Sequence, residues 1–339
     1  MLADKASDEC SRCYEMEQSG FRSLRIDHNE SFKHHLEIVS ETKEDGTVDR
    51  INMPYLDIRF SNICNFRCRT CGPELSSNWF DDAKASGRKP SKRILRPDDP
   101  EKLWGEIESF LPTVEKIYFA GGEPLMMEEH YRILKMLAAQ GRFDVHLSYN
   151  TNMSQTAFKD LKVFELWNQF KYVVVGASLD GMGEKGEYIR KGMKWDQIVA
   201  NRKEMMRVCP NVNFYVNFTL SVLNFLDMPA FHRTWVEEGL VEPSEWNINP
   251  LTYPEYFRPS VAPDNLREKA IELYEDHMDW LKSVGGNQMA LSRWEGAITS
   301  LRQPHEPQWL GRLRYKLKQM DDLRGEDFAT TFPELACLL

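Results

Sequence analysis

The sequence predicts an α/β fold, a parallel sheet joined by crossover helices. Three observations lead there. Between residues 51 and 250, short runs rich in β-branched and aromatic residues alternate with longer helical stretches about six times, the pattern of repeated strand–helix units. The run Tyr172–Leu179 is apolar at successive positions, which predicts a strand buried on both faces. The chain has 339 residues, 42% hydrophobic and 28% charged, enough to bury a sizeable core.

Residues 1–50 are polar and charged, and Lys43–Thr47 (KEDGT) reads as a turn. Strands are predicted at Tyr55–Phe60, Lys116–Ala120, Asp144–Tyr149, Tyr172–Leu179, Val212–Leu220 and Trp246–Pro250. Helices are predicted near 73–86, 98–110, 128–140, 156–168, 194–207 and 228–238. Beyond Pro250, Pro254, Pro259 and Pro263 mark an irregular connector. Residues 264–325 then read as helices, with Asn265 placed to cap the first, ahead of Ile271, Leu273, Tyr274, Met278 and Leu281. The expected organisation is a segment 1–50, a repeating β/α domain 51–250 and a helical extension 251–339. Six repeats fit an open doubly wound sheet or a partial barrel, and periodicity does not separate the two.

The formal net charge of −9 argues against a protein that grips nucleic acid through its phosphates. The longest apolar runs are strand-sized, short of the roughly 20 residues of a spanning helix. Met1–Cys10 carries acids and no apolar centre, unlike a secretory signal. A cytoplasmic location is therefore expected, where thiols stay reduced and clustered cysteines point to metal or catalysis.

Seven cysteines are present: Cys10, Cys13, Cys64, Cys68, Cys71, Cys209 and Cys337. The run Cys64-Asn-Phe-Arg-Cys68-Arg-Thr-Cys71 follows the first predicted strand and offers three thiolates from one tight loop. A cubane iron–sulfur cluster needs four ligands, so three from protein leave one iron open for a small molecule. The alternative is a structural zinc site completed by a distant His or Cys. Cys209, ahead of the fifth strand, reads as a buried structural thiol.

The spacing Cys-x3-Cys-x2-Cys after the first strand of a β/α repeat resembles the radical S-adenosylmethionine (SAM) superfamily. That resemblance implies a partial (β/α)6 TIM-type barrel and a [4Fe–4S] cluster on Cys64, Cys68 and Cys71. It implies that SAM chelates the open iron and is reductively cleaved to methionine and a 5′-deoxyadenosyl radical that abstracts substrate hydrogen. Gly121-Gly122-Glu123-Pro124 ends the second strand and is similar to the family's turn against the SAM amino group, where glycines admit a close ligand and an acid suits an ammonium. Ser178-Leu179-Asp180-Gly181 is similar to a SAM-contacting stretch of the peptide-modifying branch. Arg190 matches an arginine for the SAM carboxylate, and Leu220 a position beside the adenine, or ordinary core. Asn150 faces the site or forms a turn. Thr70 departs from the family, which often has an aromatic there.

Cys10-Ser-Arg-Cys13-Tyr14-Glu-Met-Glu17, Thr70-Cys71-Gly72-Pro73 and Phe332-Pro333-Glu334-Leu335 resemble a SPASM/twitch-type branch whose extra cysteines precede the barrel. This implies an oxidoreductase or peptide-modifying enzyme, a peptide or protein substrate, and an electron donor such as flavodoxin or ferredoxin. It also implies an auxiliary Fe–S cluster to which Cys10 and Cys13 supply two of four ligands, with Cys209 and Cys337, or neither, completing the set; a zinc pair or two free thiols are the alternatives. The competing readings are a non-catalytic Fe–S or zinc scaffold, which would need no SAM pocket, and a radical SAM enzyme acting on a small molecule such as a nucleotide, a sugar or a small cofactor. A SAM-dependent methyltransferase without radicals would show a glycine-rich first turn in place of the cysteine loop. His34-His35 reads as solvated, and Trp235, Trp246, Trp280, Trp294 and Trp309 as core. Arg312–Lys318 is locally basic, a solvated face or a contact for an anionic partner, and Asp321–Phe328 reads as an acidic surface segment.

Overall fold

The computed structural model describes residues 7–18, 23–49 and 51–339. Residues 1–6, on which part of the argument against a secretory signal rests, lie outside the described residues. The chain divides into two units, Met1–Pro54 and Tyr55–Leu339.

The N-terminal unit is more helical than its polar sequence suggests. A 3-10 turn at Asp8–Cys10 leads into α1 (Ser11–Gln18), followed by α2 (Leu24–Ser31) and a 3-10 stretch at Lys33–Glu41. Ser23 caps α2 by accepting from the Ile26 N–H at 3.2 Å. Glu17 ties α1 to α2: it accepts from Ser23 Oγ and forms a two-pronged ion pair with Arg25, which lowers its pKa. Lys43–Thr47 is the expected turn, closed by Lys43 N–H to Thr47 O at 2.9 Å, with Gly46 at φ 84°. Among the described residues of this unit, Ser23 is the one that is buried, so they bury no apolar side chain.

The second unit opens with β1 (Tyr55–Ile58), α3 (Trp79–Ala85), α4 (Pro100–Phe110) and β2 (Lys116–Phe119). Then come α5 (Glu128–Ala139), β3 (His146–Thr151), a small hairpin β4 (Ala157–Phe158) and β5 (Leu161–Lys162), and α6 (Val163–Trp167). Next are β6 (Val173–Ser178), α7 (Gly183–Ile189), α8 (Trp195–Val208), β7 (Asn213–Leu220), α9 (Met228–Glu237) and β8 (Trp246–Pro250). The large sheet has six strands in the order β1-β2-β3-β6-β7-β8, and every neighbouring pair is parallel. This is the partial TIM-type barrel implied by the resemblance. The helix expected over 156–168 is instead the β4–β5 hairpin and the short α6; Lys159, at φ 53°, turns the hairpin.

The strand period of two separates the faces of the sheet. Leu56, Ile58, Ile117, Phe119, Leu147, Tyr149, Val175, Val216 and Phe218 are buried on one face. On the other, Asp57, Tyr118, Ser148 and Val174 are in register, as are Asn150, Gly176 and Tyr215. This second face is mostly polar and half-exposed. It corrects the reading of Tyr172–Leu179 as buried on both sides: Tyr172 is exposed, Val174 is half-buried on the open face, and Gly176 offers it no side chain.

The C-terminal residues belong to the same unit. After short 3-10 turns at Glu255–Phe257 and Pro259–Val261 come α10 (Asp264–Ser283), α11 (Gln288–Leu301), α12 (Leu310–Arg324) and α13 (Phe328–Thr331). Asn265 is not the cap of α10: the helix starts one residue earlier, behind Pro263. Asn287 does cap α11, accepting from Ala290 N–H at 2.9 Å. Trp235, Trp246 and Trp294 are core, and Trp294 packs on the buried pair His232–His277. Helix α12 packs on α3 and on the 255–257 turn. Among the described residues, no helix is long and apolar enough to cross a membrane.

Candidate active site

The cysteine loop leaves the C-terminal end of β1 and is held from several sides. Phe66 is its apolar anchor, 1% exposed. Arg67 N–H and Arg69 N–H bond to the carbonyls of Lys191 and Ile189 at 2.8 Å each, so the loop runs beside the end of α7. Gly192, at φ 109°, permits this approach, since a Cβ there would lie 2.8 Å from Asn65 O. Trp79 Nε1 donates to Cys68 O at 2.7 Å, and Ser76 Oγ donates to Phe66 O at 2.5 Å. Asn62, buried at the loop's start, donates to Pro73 O at 2.8 Å and to Arg93 O at 3.1 Å, and accepts from Leu95 N–H at 2.8 Å.

The three thiols of this loop are free, Cys68 buried and Cys64 and Cys71 partly so. Burial pushes all three pKa values up, that of Cys64 to about 11. Arg190 opposes the shift at both Cys68 and Cys71, while Cys71 and Cys64 add to it at Cys68. Unaided, these thiols hold their protons; a cationic centre that replaces the protons is what three buried sulfurs in one loop suit. Phe66 N–H points at Cys64 Sγ (3.4 Å), as does Asn152 Nδ2 (3.9 Å), bonds of the kind that tune cluster sulfurs. A [4Fe–4S] cluster with one open iron fits this donor set.

The Gly121–Pro124 turn packs directly on the loop. A Cβ on Gly122 would stand 2.1 Å from Ile63 O, and Glu123 N–H donates to that carbonyl at 2.7 Å. Gly121, at φ 113°, is exposed. The Glu123 carboxylate, expected to meet an ammonium, is instead turned inward and fully buried. It accepts from Leu125 N–H (3.1 Å), Thr151 Oγ1 (2.6 Å) and Asn152 N–H (2.6 Å). Burial outweighs these bonds and lifts its pKa to about 7. Glu123 thus braces β2 against β3, and what the turn presents outward is the main chain of Gly121 and Gly122. Pro124 is buried at the head of a 3-10 turn. A cleft of about 340 Å³ lies along this seam, lined by Arg59, Ser61, Leu75, Arg96, Gly121 and Gly122 among others.

Arg190 is brought to the same place. Its Nη1 lies 3.9 Å from Cys68 Sγ, and its Nη2 pairs with Asp180 Oδ2 at 2.8 Å. Burial disfavours its charge, but Asp180 and the thiols of Cys68 and Cys71 prevail, and its pKa is raised. Its Nε is buried with no partner, an orphaned donor of the kind a carboxylate ligand satisfies. Asp180, 1% exposed, spends its other oxygen on Thr219 N–H at 2.9 Å, so it positions Arg190 and faces no open space. Ser178 is half-exposed on the open face, in register with Asn217. Leu220 is fully buried in the core. Cys209 is core too, its thiol donating to Met205 O at 3.3 Å, at the opposite end of the strands from the cysteine loop; Cys337 is exposed. Cys10 and Cys13 are described within the N-terminal unit, both half-buried.

Sequence reasoning singled out Asn150 but missed the strip of asparagines to which it belongs on the open face. Asn217 Oδ1 accepts from Asn247 Nδ2 (2.9 Å) and Asn249 Nδ2 (2.7 Å), while Asn217 Nδ2 donates to Asn150 Oδ1 at 3.3 Å. Gly176 makes room, since a Cβ there would lie 2.8 Å from Asn150 Oδ1 and 2.5 Å from Tyr215 Oη. The signal was present: asparagines two apart within runs otherwise suited to a sheet. Arg69 and Asn152 were also missed. Asp321–Phe328, read as a surface segment, instead turns Asp321 and Glu326 inward onto Arg69.

Comparison with known proteins places this geometry. Curated relatives include GTP 3′,8-cyclase of Aliarcobacter butzleri, 29% identical over 99 residues, covering 29% of this chain and 27% of that protein. GTP 3′,8-cyclase of Aquifex aeolicus is 28% identical over 119 residues, 34% of each chain. The matched stretch thus spans about a third or less of these relatives' length. Similar solved structures include anSMEcpe with bound AdoMet and a peptide (TM-score 0.46, 16% identity, 68% of this chain and 61% of that one). Streptococcus suis SuiB bound to S-adenosylmethionine is another (TM-score 0.47, 17% identity, 80% and 58%). The family model of the radical SAM superfamily matches residues 58–227, from the end of β1 through the cysteine loop, the glycine turn and Arg190 to the end of β7, and the chain belongs to that superfamily.

Proposed function

We propose that this chain is a radical SAM enzyme that acts on a peptide or protein side chain. Bound at Cys64, Cys68 and Cys71, a [4Fe–4S] cluster would supply the electron that cleaves SAM to a 5′-deoxyadenosyl radical, the species that takes hydrogen from substrate. The observation that carries this reading is Arg190: a buried guanidinium beside Cys68, oriented by Asp180, with one donor unused. It suits the carboxylate of a ligand seated at the open iron. The main chain of Gly121 and Gly122 would meet that ligand's ammonium, and Ser178 would border it. The reduced thiols such a site needs suit the cytoplasm.

The substrate class rests on the open face of the sheet. Its β3, β7 and β8 positions offer the carboxamides of Asn150, Asn217, Asn247 and Asn249, with no charged residue among them. Carboxamides pair donor and acceptor at once, as peptide groups do. The GTP 3′,8-cyclase relatives favour a second reading, a small nucleotide. A triphosphate calls for several cations or helix N-termini; on this face the strands carry Lys116, and Arg59, just past β1, is engaged by Asp57.

An auxiliary cluster at Cys10 and Cys13 is part of the proposal. The described residues of this unit bury no apolar side chain, and a bound metal centre would supply stability there. Iron well above about four per chain after anaerobic reconstitution supports it, and a value at or below that sinks it. The reaction itself is tested by reconstituting the protein, reducing it with dithionite and quantifying 5′-deoxyadenosine beside a Cys68→Ala control. Product that vanishes in the control supports the reading. No product from fully loaded protein, with each candidate peptide added in turn, removes it.

A further inference from the structure

The turn that follows β3 is strained and held from several sides. Met153, 1% exposed, lies at φ 59°, in the left-handed region that a long apolar side chain rarely adopts. Such a conformation persists only where its surroundings over-determine it. The Asn152 N–H donates to the Glu123 carboxylate at 2.6 Å, and the Met153 N–H donates to Thr151 Oγ1 at 3.1 Å. From α8, Asn201 Nδ2 donates to Met153 O at 2.8 Å and Gln197 Nε2 to Ser154 O at 3.1 Å. The side chain presented by this turn is that of Asn152, which is buried.

The orientation of the Asn152 amide follows from its partners. Its Oδ1 accepts from the Ser154 main-chain N–H at 3.0 Å, a group that can only donate, and from Ser154 Oγ at 2.6 Å. The hydrogens on Nδ2 are thereby turned toward the cysteine loop. One meets Asn65 Oδ1 at 2.9 Å, and the other is left for Cys64 Sγ, 3.9 Å from the nitrogen. Asn65 Nδ2 closes a ring of three side chains by donating to Ser154 Oγ at 2.8 Å. The residue next to Cys64 in sequence thus locks the amide beside the Cys64 sulfur.

The sheet does not need this ring, since β3 is already paired on both sides, with β2 and β6. Among the described residues, two side chains bring an N–H to a sulfur of the loop: Arg190 at Cys68 and Asn152 at Cys64. Arg190 is oriented for a carboxylate ligand, and Asn152 has no such task. Reduction of a cluster adds one negative charge, shared among its sulfurs and its thiolate ligands. An N–H aimed at a ligand sulfur stabilises that charge more in the reduced state than in the oxidised one.

We propose that Asn152 is a tuning residue: its amide N–H, donating to the Cys64 sulfur, raises the reduction potential of the cluster held by Cys64, Cys68 and Cys71. The proposal rests on the radical SAM reading above. The reductant gives up one electron and the cluster takes it up. The amide keeps its proton, and no bond is made or broken at Asn152. Ser154 and Asn65 position the amide, and the strain at Met153 is the cost of turning it onto the loop.

The test is an anaerobic redox titration of reconstituted full-length protein with dithionite and mediators, following the electron paramagnetic resonance signal of the reduced cluster. Wild type is compared with Asn152→Ala, Asn152→Asp, Ser154→Ala and Gln197→Ala. Asn152→Ala should disfavour reduction by about threefold to tenfold, a midpoint lower by up to ~59 mV for one electron. Asn152→Asp, of the same shape but without the donor, should lower it further. Ser154→Ala leaves the amide in place but less firmly held, and should give a smaller shift of the same sign. Gln197→Ala loosens the turn without touching the amide and should leave the midpoint unchanged. An unmoved midpoint in loaded Asn152→Ala and Asn152→Asp overturns the proposal, and so does a shift in Gln197→Ala as large as in Asn152→Ala. If neither Asn152 variant holds a cluster, Ser154→Ala decides: a lowered midpoint supports the proposal and an unmoved one overturns it. Wild type that takes up no cubane removes the radical SAM reading, and this proposal with it.

Discussion

Arg69 and Asp321, 252 residues apart, are joined by an ion pair of 2.5 Å in which the arginine side chain is fully buried. Glu326 takes the same Nη2 at 2.7 Å, Arg69 Nε donates to Tyr188 O, and the guanidinium lies 3.5 Å from the centre of the Tyr188 ring. Arg69 sits between Cys68 and Cys71, so the end of α12 and the turn after it fix the middle of the cysteine loop.

Removing one side of a buried pair is costly because the other charge stays behind. Arg69→Met leaves the inward Asp321 without a counter-charge and Glu326 with Lys191 alone, and should destabilise the protein by about 3–5 kcal/mol. Asp321→Asn keeps Glu326 as counter-charge and should cost less. Iron bound after reconstitution should fall in the same order. Thermal unfolding and iron analysis check both; full iron in Arg69→Met would mean that the loop holds its shape without α12.

Gly122→Ala should separate the glycine turn from the loop. Its Cβ would meet backbone atoms of Ile63 at 2.1 and 2.6 Å, which cannot swing aside as a side chain can. The expected result is folded protein with little bound iron and SAM affinity lowered at least tenfold. Gly105→Ala, with open space around it in α4, should gain up to about 1 kcal/mol. Near-normal iron and SAM binding in Gly122→Ala would show that the turn has room the structure does not display.

Much of this architecture was legible because it follows from local rules. Each of the six strands of the sheet lies within about three residues of its expected position, since β-branched runs between helical stretches are hard to read otherwise. The cysteine loop, the glycine turn and Arg190 were legible as motifs and converge as expected. Partners that come from far along the chain were not legible. Asp321 and Glu326 look like solvated acids until α12 returns to Arg69, and Glu123 looks like a ligand residue until Thr151 and Asn152 close over it. The 156–168 segment misled because Phe158, Leu161 and Phe164 fit a helical spacing as well as a hairpin.

Stability should peak near pH 6.5 in the cluster-free protein. His130, His232 and His277 are buried, and burial lowers their pKa values to about 3, 3 and 2. Their neutral forms fit both states above the ordinary value of 6.5, and stability is lost as pH falls below it because only the unfolded chain takes the protons. Glu123 acts oppositely. Its folded pKa of about 7 lies above the ordinary carboxyl value of 4.5, so its contribution is complete below 4.5 and is lost as pH rises through 7, by roughly 3 kcal/mol in total. Denaturant unfolding of wild type and Glu123→Gln between pH 5 and 8 isolates this group. The variant should gain on wild type as pH rises to about 7 and level off above it; a constant difference would mean that Glu123 is ionised throughout.

Arg190 and Asp180 should separate cofactor binding from cluster binding. Asp180 is 1% exposed and holds Arg190 against Cys68, so Asp180→Asn frees the guanidinium without removing it. Arg190→Lys keeps a positive charge near the thiols but loses the planar fork that could meet a carboxylate with two bonds. Both variants should load iron normally, because the three cysteines and their backbone supports are intact. Arg190→Lys should raise the SAM KM by about tenfold or more, the loss of one charge-assisted hydrogen bond. Asp180→Asn should raise it less, since the freed arginine must be ordered again on binding. If instead Arg190→Lys loses its iron while SAM binding by the remainder is normal, Arg190 serves the thiolates and the carboxylate of SAM is held elsewhere.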